Sequence, residues 1–350
     1  GTNHTFNALH GLILGLVVLG SLLLVAVGNT AARAQTVPDT LLPLTAPGAV
    51  APAAVEAARA AVVRVEVAGN YRLPYTTASR VQAATGSGFL IQGAGESADT
   101  IVTNAHVAIR GAELNIYLDG SVEPLAASVL GVSECADIAV LQLKDASLPG
   151  LNWRRTDIAP NDPVFAAGYP GGVFDLVITA GSVQAVEADD ETEWASVKTV
   201  LNHTAATDPG SSGGPLLDAA GDVAGIVFAE SGNYADRNYA IAAEASTALV
   251  ESLRSGDSPE SIGVTAEALP RDAAVPGVWV ISVEANSPAA AAGVLLGDII
   301  RTLNRKGVGR DGTLSSYCRI LREQGGGRFA LEVYRADTGQ VLTGELNGAA

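Results

Sequence analysis

The sequence predicts two domains: a mostly β domain, built as a sandwich or barrel, over residues 55–252, and a smaller α+β domain over residues 258–346. Three observations predict this organisation. The chain has 350 residues, more than a single hydrophobic core usually serves. It contains 39 Gly and 16 Pro, which favour many turns and short strands. Short apolar runs separated by turn residues recur along it, without the alternation of strands and helices typical of a parallel α/β fold.

Composition and charge exclude several function classes. The formal net charge is −16, and a nucleic-acid partner is not expected, because the phosphate backbone favours Lys and Arg. The two cysteines, Cys135 and Cys318, fall in different predicted domains, which excludes a framework of several disulfides. We expect them to stay unpaired, with a bridge between the domains as the less favoured alternative. Neither has a neighbour at metal-ligand spacing, so no metal site and no cofactor are expected.

Residues 1–34 are predicted to be a signal peptide or a membrane anchor. Leu9–Val27 is almost wholly apolar and nearly long enough to span a bilayer, which favours an anchor. Ala32-Arg33-Ala34 fits a signal-peptidase site, which favours export and cleavage. Both alternatives place the rest of the chain outside the cytoplasm, in the periplasm or the extracellular space. Residues 35–54 are rich in Pro and Ala and predict a semi-extended linker.

The first predicted domain consists of short strands punctuated by Gly, Asp and Pro. The strand-like runs are Val62–Val67, Gly88–Ile91, Ile101–Thr103, Leu114–Leu118 and Ile138–Leu143. Three residues of this predicted domain have contexts that suggest catalysis when taken together. His106 lies in Thr-Asn-Ala-His-Val, Asp137 in Asp-Ile-Ala-Val-Leu, and Ser212 in Gly-Ser-Ser-Gly-Gly-Pro. A serine hydroxyl needs a base beside it to become a nucleophile, and a histidine base needs a carboxylate that orients it.

The order His, Asp, Ser and these three motifs resemble the chymotrypsin-like clan, and in particular the HtrA/DegP family of serine proteases. The resemblance covers residues from about 60 to 346 and implies a double β-barrel protease domain. It assigns the nucleophile to Ser212, the general base to His106 and the orienting carboxylate to Asp137. It also implies an assembly of three copies of the chain.

The resemblance further implies an oxyanion hole formed by the turn Gly210-Ser211-Ser212, in which Gly210 supplies backbone angles that a Cβ disfavours. Ser211 departs from the Asn that the family usually has there, and His203 is unusual at its position. We interpret His203 as a surface strand residue. Loop ordering is the implied mode of regulation, and its candidates include the turn before Ser212, the stretch Glu230–Asn238 and the acidic stretch Glu187–Glu193, for which a plain solvated loop is the equal alternative.

The pocket for the substrate side chain before the cleaved bond is predicted from the same resemblance. Ala206, six residues before the nucleophile, would form its uncharged base, which argues against a preference for Lys or Arg. The strand residues Ile226, Val227 and Phe228 would supply an apolar wall. Such a pocket favours small or medium aliphatic side chains.

The second predicted domain resembles a protease-linked PDZ domain. The series Ser-Pro-Ala, Ala-Gly and Gly-Asp-Ile-Ile between residues 287 and 300 carries the resemblance. Thr313–Glu323 has helical spacing, and Phe329–Arg335 alternates like a strand. By this resemblance, the backbone N–H groups of Ile262, Gly263 and Val264 would receive the carboxylate of a peptide C-terminus, and the peptide would add as a strand beside residues 264–268.

The function that these motifs imply is a serine endopeptidase acting on unfolded or damaged exported proteins, with the second domain capturing peptide C-termini. Two alternatives remain open at this stage. A membrane-anchored protease that cuts one regulatory protein would be favoured if Leu9–Val27 is retained. A chaperone or binding module without activity is disfavoured by the complete triad.

Overall fold

The first part of the chain forms a closed β-barrel. The computed structural model describes residues 51–76, 80–93, 98–109, 113–228, 238–258, 260–325 and 327–347. The first barrel has the order β1-β2-β3-β6-β5-β4 and every pairing is antiparallel. Its strands are β1 (Val62–Tyr71), β2 (Arg80–Leu90), β3 (Thr100–Thr103), β4 (Glu113–Leu118), β5 (Leu125–Ser133) and β6 (Ile138–Leu143). Alternate residues of β1 point inward, and Val63, Val65 and Val67 are fully buried.

A second closed barrel follows, with the order β10-β11-β12-β9-β8-β7. Its strands are β7 (Pro163–Gly168), β8 (Val177–Glu191), β9 (Ser196–His203), β10 (Pro215–Leu217), β11 (Val223–Phe228) and β12 (Asn238–Ala242). The short helices α1 (Ala53–Ala57) and α2 (Ala105–Ala108) belong to the first barrel, and α3 (Ala243–Arg254) follows the second. Buried Val250 and Leu253 pack α3 against strands of both barrels. The predicted all-β double barrel is confirmed.

The C-terminal domain is a sheet covered by helices. The sheet has the order β13-β14-β15-β17-β18, with β16 paired to β15. Its strands are β13 (Val264–Ala268), β14 (Val278–Val283), β15 (Asp298–Leu303), β16 (Lys306–Gly307), β17 (Phe329–Arg335) and β18 (Gln340–Leu346). The Ser-Pro-Ala motif begins α4 (Pro288–Ala291), because Ser287 caps the helix through the N–H of Ala290 and Pro288 occupies its first turn. The predicted helix is α5 (Ser315–Gln324), and Tyr317, Ile320 and Leu321 are buried on its inner face.

The C-terminal domain packs directly against the double barrel. Arg72, just after β1, donates its N–H to the carbonyl of Ile281 at 2.9 Å, and its own carbonyl accepts from the indole N–H of Trp279 at 2.8 Å. Arg322 on α5 donates to the carbonyl of Ser196 at 2.6 Å. Contacts of this kind fix the position of the second domain beside the first, and residues Thr45–Ala350 form one compact unit.

A disulfide between the two domains contradicts our expectation that both cysteines stay unpaired. Cys135 lies in the turn between β5 and β6, Cys318 lies on α5, and their sulfurs are bonded. The Cα atoms are 5.4 Å apart, inside the range that a disulfide requires. The prediction was wrong because it treated the domains as separate bodies, whereas the β5–β6 turn is packed against the helix.

Other expectations need correction or lie outside the described residues. His203 is buried on β9 and not on the surface, and burial lowers the pKa of its imidazole to about 4. The acidic stretch Glu187–Glu193 is mostly strand, because β8 continues to Glu191. Helix α1 begins at Ala53, inside the predicted linker, whereas the predicted export segment and the rest of the linker up to residue 50 lie outside the described residues.

No helix in the described part of the chain is long and apolar enough to cross a membrane.

Candidate active site and carboxylate-binding loop

The imidazole of His106 is held by the carboxylate of Asp137. Strand β3 ends at Thr103, and the single turn of α2 presents His106 towards the turn before β6. Nδ1 of His106 lies 2.7 Å from Oδ2 of Asp137, and the backbone N–H of His106 donates to Oδ1 at 2.9 Å. Since a carboxylate only accepts, this contact places a proton on Nδ1, and in the neutral imidazole Nε2 is then the acceptor. Nε2 is therefore in the state that a general base requires.

Asp137 is fixed by its backbone as well as by its side chain. It has a φ of +52°, an uncommon conformation for a residue with a Cβ. The buried side chain of Asn104 donates to the carbonyl of Asp137 at 2.9 Å and holds this turn in place. The sequence analysis missed Asn104, although it stands two residues before His106 in the same motif.

Ser212 lies in a tight turn between the two barrels. The carbonyl of Ser212 accepts from the N–H of Ser87 on β2 at 2.8 Å, which ties the turn to the first barrel. Gly210 has a φ of +103°, and a Cβ there would lie 2.5 Å from the carbonyl oxygen of Tyr169. Only glycine fits this position without a shift of the backbone.

The peptide unit between Pro209 and Gly210 is held in one orientation by a hydrogen bond to Gly171. The carbonyl of Pro209 accepts from the N–H of Gly171 at 2.6 Å. Because C=O and N–H are antiparallel in a trans peptide, the N–H of Gly210 points away from Gly171. The N–H of Ser211 donates to the carbonyl of Asp208 at 2.9 Å and is committed to the turn. Of the three predicted oxyanion residues, Ser211 therefore has its N–H engaged within the turn, and the donor roles of Gly210 and Ser212 stay a prediction.

Ser87 is a second residue that the sequence analysis missed. Its hydroxyl donates to the carbonyl of Gly210 at 2.7 Å and accepts from the N–H of Tyr169 at 2.9 Å. It therefore connects β2, the turn of Gly210 and the segment after β7. No signal in the sequence singles it out, because Thr-Gly-Ser-Gly-Phe reads as an ordinary strand with glycines.

A small cavity of about 70 Å³ lies beside this turn and contains Ala206 in its wall. Ser211 and the exposed Asp208 also line it, together with Val177 and Thr179. Thr179 donates to the carbonyl of Ala206 at 2.7 Å and fixes that wall. The predicted apolar wall is placed elsewhere: Ile226, Val227 and Phe228 are buried in the barrel cores and do not line this cavity.

The predicted carboxylate-binding loop of the C-terminal domain contacts a carboxylate of the chain itself. The N–H groups of Ile262, Gly263 and Val264 donate to Oε1 of Glu134 at 2.8, 2.6 and 2.8 Å. The hydroxyl of Ser261 donates to the same oxygen at 2.7 Å, and that of Tyr317 donates to Oε2 at 2.7 Å. Burial raises the pKa of the Glu134 carboxyl above its ordinary value, and the hydrogen bonds that it accepts oppose this rise. Sequence analysis predicted the loop but missed Glu134.

A cavity of about 190 Å³ joins the two sites. His106 and Asp137 line it from the barrel side, and Glu134, Tyr317 and the strand residues 264–267 line it from the other. Burial, assisted by the charge of Glu193, raises the pKa of Glu267 in this wall to about 7. Within the described residues, no group of three or more His, Cys, Asp or Glu side chains is arranged to hold a metal ion.

Two family models match the chain where these sites lie. Residues 86–226 match the trypsin-like peptidase domain, and residues 279–335 match the PDZ domain. The chain carries a trypsin-like peptidase domain followed by a PDZ domain. The first match includes His106, Asp137 and Ser212, and the second includes β15 and α5 but begins after the carboxylate-binding loop.

Relatives with curated names confirm the resemblance to HtrA/DegP proteases. The chain is 30% identical to the putative serine protease HhoB of Synechocystis over 74% of its own length and 65% of that protein. It is 28% identical to a probable periplasmic serine endoprotease DegP-like of Pseudomonas fluorescens, over 75% of its own length and 56% of that protein. The chain thus spans about half to two thirds of the lengths of these relatives.

Solved structures share the fold. A variant of the HtrA-type protease AlgW with a decapeptide has a TM-score of 0.52 at 23% identity, covering 84% of this chain and 95% of that one. The active form of the Rv3671c protease from M. tuberculosis has a TM-score of 0.51 at 22% identity, covering 65% of this chain and 94% of that one. At this identity the likeness concerns the fold alone.

Proposed function

We propose that the chain is a serine endopeptidase in which Ser212 is the nucleophile, His106 the general base and Asp137 the carboxylate that orients it. The observation that supports this most strongly is the double contact between Asp137 and His106, through Nδ1 and through the backbone N–H. It leaves Nε2 as the proton acceptor, on a side chain that is 23% exposed and so accessible to a substrate.

The chemistry follows from these roles. Nε2 takes the proton of the Ser212 hydroxyl as the oxygen attacks the scissile carbonyl, and the resulting imidazolium is stabilised by Asp137. The N–H groups of Gly210 and Ser212 receive the negative charge on the carbonyl oxygen. The imidazolium then protonates the leaving amine, and water repeats the sequence on the acyl-enzyme. Each oxyanion donor contributes about 3 kcal/mol to such a transition state.

We place the substrate side chain before the cleaved bond in the cavity that Ala206 lines. Its limited size and apolar residues support a preference for small or medium aliphatic side chains. The exposed Asp208 lies at the edge of this cavity. It does not conflict with an aliphatic preference, because a short bound side chain needs no charged partner.

The substrates that we propose are unfolded or damaged exported proteins. The names of the DegP-like relatives include a periplasmic location, which supports export of this chain. The PDZ domain supports capture of peptide C-termini at Ile262, Gly263 and Val264. The resemblance to HtrA proteases also supports a homotrimer, and light scattering of the purified chain would test this assembly.

The experiment is digestion of unfolded casein by the purified chain beside its Ser212→Ala variant. We expect cleavage by the former and none by the latter, with aliphatic residues before the cleaved bonds in mass spectra of the fragments. Ser255→Ala is the matched control, since Ser255 is exposed after α3 and far from the triad in sequence. Equal cleavage by wild type and Ser212→Ala would rule out Ser212 as the nucleophile, and no cleavage by either would favour a binding or chaperone function.

A further inference from the structure

The PDZ loop binds Glu134 in the manner expected for a peptide C-terminus. Three consecutive backbone N–H groups converge on one carboxylate oxygen, and two hydroxyls complete the site. Glu134 is 7% exposed, so its carboxylate fills the loop and is not an ion pair on the surface. Any external carboxylate that used the same N–H groups would have to displace it.

We propose that Glu134 is an internal ligand that closes the PDZ domain to peptide C-termini, and that the Cys135–Cys318 disulfide retains it there. This inference rests on the proposed role of Ile262–Val264 as a site for peptide C-termini. The disulfide joins the residue next to Glu134 to α5, the helix whose Tyr317 lines the same cavity as residues 264–267. The residue after Glu134 is therefore joined covalently to the neighbour of Tyr317, whose hydroxyl donates to the Glu134 carboxylate.

The protease domain also occupies the other end of β13. The carbonyl of Glu193 accepts from the N–H of Ala268, the last residue of β13, at 2.6 Å. The carbonyl of the neighbouring Thr192 accepts from the N–H of Leu314, at the start of α5, at 2.9 Å. A peptide that added as a strand beside residues 264–268 would meet protease-domain backbone at this end and Glu134 at the other.

The tether decides how strongly Glu134 competes. A ligand joined to its site by a short link acts at an effective concentration in the millimolar range. A free peptide is weakened by the ratio of this effective concentration to the intrinsic dissociation constant of the internal ligand, which is roughly ten- to a hundredfold for a constant of about 10–100 μM. Without the disulfide, withdrawal of Glu134 from the PDZ loop breaks only the contacts of the β5–β6 turn. With the disulfide, α5 must move together with that turn.

Reduction of the disulfide by a dithiol releases the tether. A thiolate of the reductant attacks one of the two sulfurs, forms a mixed disulfide with that cysteine and releases the other cysteine as a thiolate. The second thiol of the reductant then attacks the mixed disulfide and releases the first cysteine. The protein gains two electrons and two protons and ends with two cysteine thiols, while the reductant becomes a cyclic disulfide. Both cysteines are fully buried, so the reductant needs a transient opening of the interface before it can attack.

The test measures peptide binding on the full chain carrying Ser212→Ala, which prevents digestion of the probe. The probe is a fluorescein-labelled decapeptide ending in valine with a free carboxylate, and its control is the same peptide as a C-terminal amide. Fluorescence anisotropy compares three proteins with the parent: Glu134→Ala, the double variant Cys135→Ser with Cys318→Ser, and Glu123→Ala as a matched control at an exposed glutamate.

We expect Glu134→Ala to bind the carboxylate peptide at least tenfold more tightly than the parent, and the double variant to gain in the same direction. The amide peptide and the Glu123→Ala protein should show no gain. Equal affinity of all four proteins for the carboxylate peptide overturns the proposal. A gain of the same size for the amide overturns it too, since that would reflect a loosened interface and not competition between carboxylates.

A second measurement needs no substitution at the interface. The Ser212→Ala chain is equilibrated in a dithiothreitol redox buffer with either peptide, alkylated with iodoacetamide and weighed by mass spectrometry. Because coupling between two sites is reciprocal, the carboxylate peptide should raise the fraction of thiol at Cys135 and Cys318, and the amide should not. Equal fractions with both peptides contradict the internal ligand. Neither measurement depends on catalysis, so a failure of casein cleavage would refute the proposed protease while leaving this result standing.

Discussion

Two loops of this chain offer backbone N–H groups to a negatively charged oxygen, and they differ in where the charge comes from. The turn Gly210–Ser212 has a glycine with φ of +103°, and the loop Ile262–Val264 has one with φ of +86°. In the PDZ loop the charge belongs to Glu134, a permanent part of the chain. At the turn of Ser212 the proposed chemistry creates the charge only while a peptide bond is being cleaved.

One short segment contacts both the PDZ loop and the proposed general base. The turn between β5 and β6 contributes Glu134 to the PDZ loop and, three residues later, Asp137 to His106. Both carboxylates are buried, yet one fills the proposed binding site for peptide C-termini and the other contacts the proposed base. Changes at the Glu134 end should therefore act on binding and on domain docking, whereas changes at the Asp137 end should act on rate.

Neutralising each carboxylate in turn tests whether the two ends of this turn have separate roles. Asp137→Asn should lower kcat for casein cleavage by about 10⁴-fold, because an amide stabilises the wrong tautomer of His106. Glu134→Gln should change kcat by less than about tenfold, because its contacts lie in the PDZ loop.

Asp145→Asn is the matched control for this pair, since Asp145 also has a positive φ, of +58°, but is exposed. Its kcat should equal that of the wild type. If Glu134→Gln were as damaging as Asp137→Asn, the two ends of the turn would not have separate roles.

The next largest effect is expected at Gly210, and Gly263 in the PDZ loop provides the comparison. Gly210→Ala should lower kcat by about 10²- to 10³-fold, because a Cβ 2.5 Å from the carbonyl of Tyr169 displaces an oxyanion donor. Gly263→Ala would bring a Cβ to 2.0 Å from the Cβ of Ser287 and should lower the thermal midpoint of the PDZ domain with little direct effect on chemistry.

Gly120→Ala separates conformational strain from collision. Gly120 has a φ of +70° with no atom within 4 Å of an added Cβ, so only the strain of about 1 kcal/mol remains. Activity and melting of all three variants, measured by casein cleavage and calorimetry, check the assignment. A loss of activity in Gly120→Ala as large as in Gly210→Ala would refute the role of the oxyanion turn.

The sequence was informative where function depends on short motifs. The contexts of His106, Asp137 and Ser212 point to the triad, because each residue is placed by its own strand end or turn. The PDZ loop could be predicted for the same reason, since Ser261–Val264 forms a local backbone arrangement. The double barrel followed from the density of short strands and turn residues, which does not depend on long-range detail.

Contacts between the domains could not be predicted in this way. Glu134 meets Gly263 across 129 positions, and nothing around Glu134 distinguishes it from a surface glutamate. The pair Cys135 and Cys318 was a usable signal, but we set it aside because we assumed that the domains do not touch. His203 was misplaced for a related reason: its strand lies between two neighbours in the second barrel, and that position is set by tertiary pairing.

A smaller effect is expected at Ser87, which connects the two barrels behind the oxyanion turn. Ser87→Ala removes hydrogen bonds to the carbonyl of Gly210 and from the N–H of Tyr169. A buried hydrogen bond contributes about 1 kcal/mol, so kcat should fall roughly five- to thirtyfold while KM stays within a factor of two. Ser255→Ala serves as the control, and a change in KM alone would show that Ser87 shapes the pocket and does not position the oxyanion turn.

The smallest effect concerns the wall between the two loops, where burial raises the pKa of Glu267 to about 7, with the charge of Glu193 adding to it. The folded chain holds a proton on Glu267 between pH 4.5 and 7, whereas the unfolded chain has released it. The free energy of unfolding should therefore fall as the pH rises through this window, by about 1–2 kcal/mol after allowance for solvent screening.

Urea midpoints at pH 5 and pH 7.5 test this pH dependence. Glu267→Gln should lose that part of the pH dependence, Glu193→Gln should lose some of it, and exposed Glu244→Gln should keep it all. An unchanged slope in Glu267→Gln would mean that Glu267 is ionised throughout, and that the cavity shared by His106 and the PDZ groove holds a permanent negative charge in its wall.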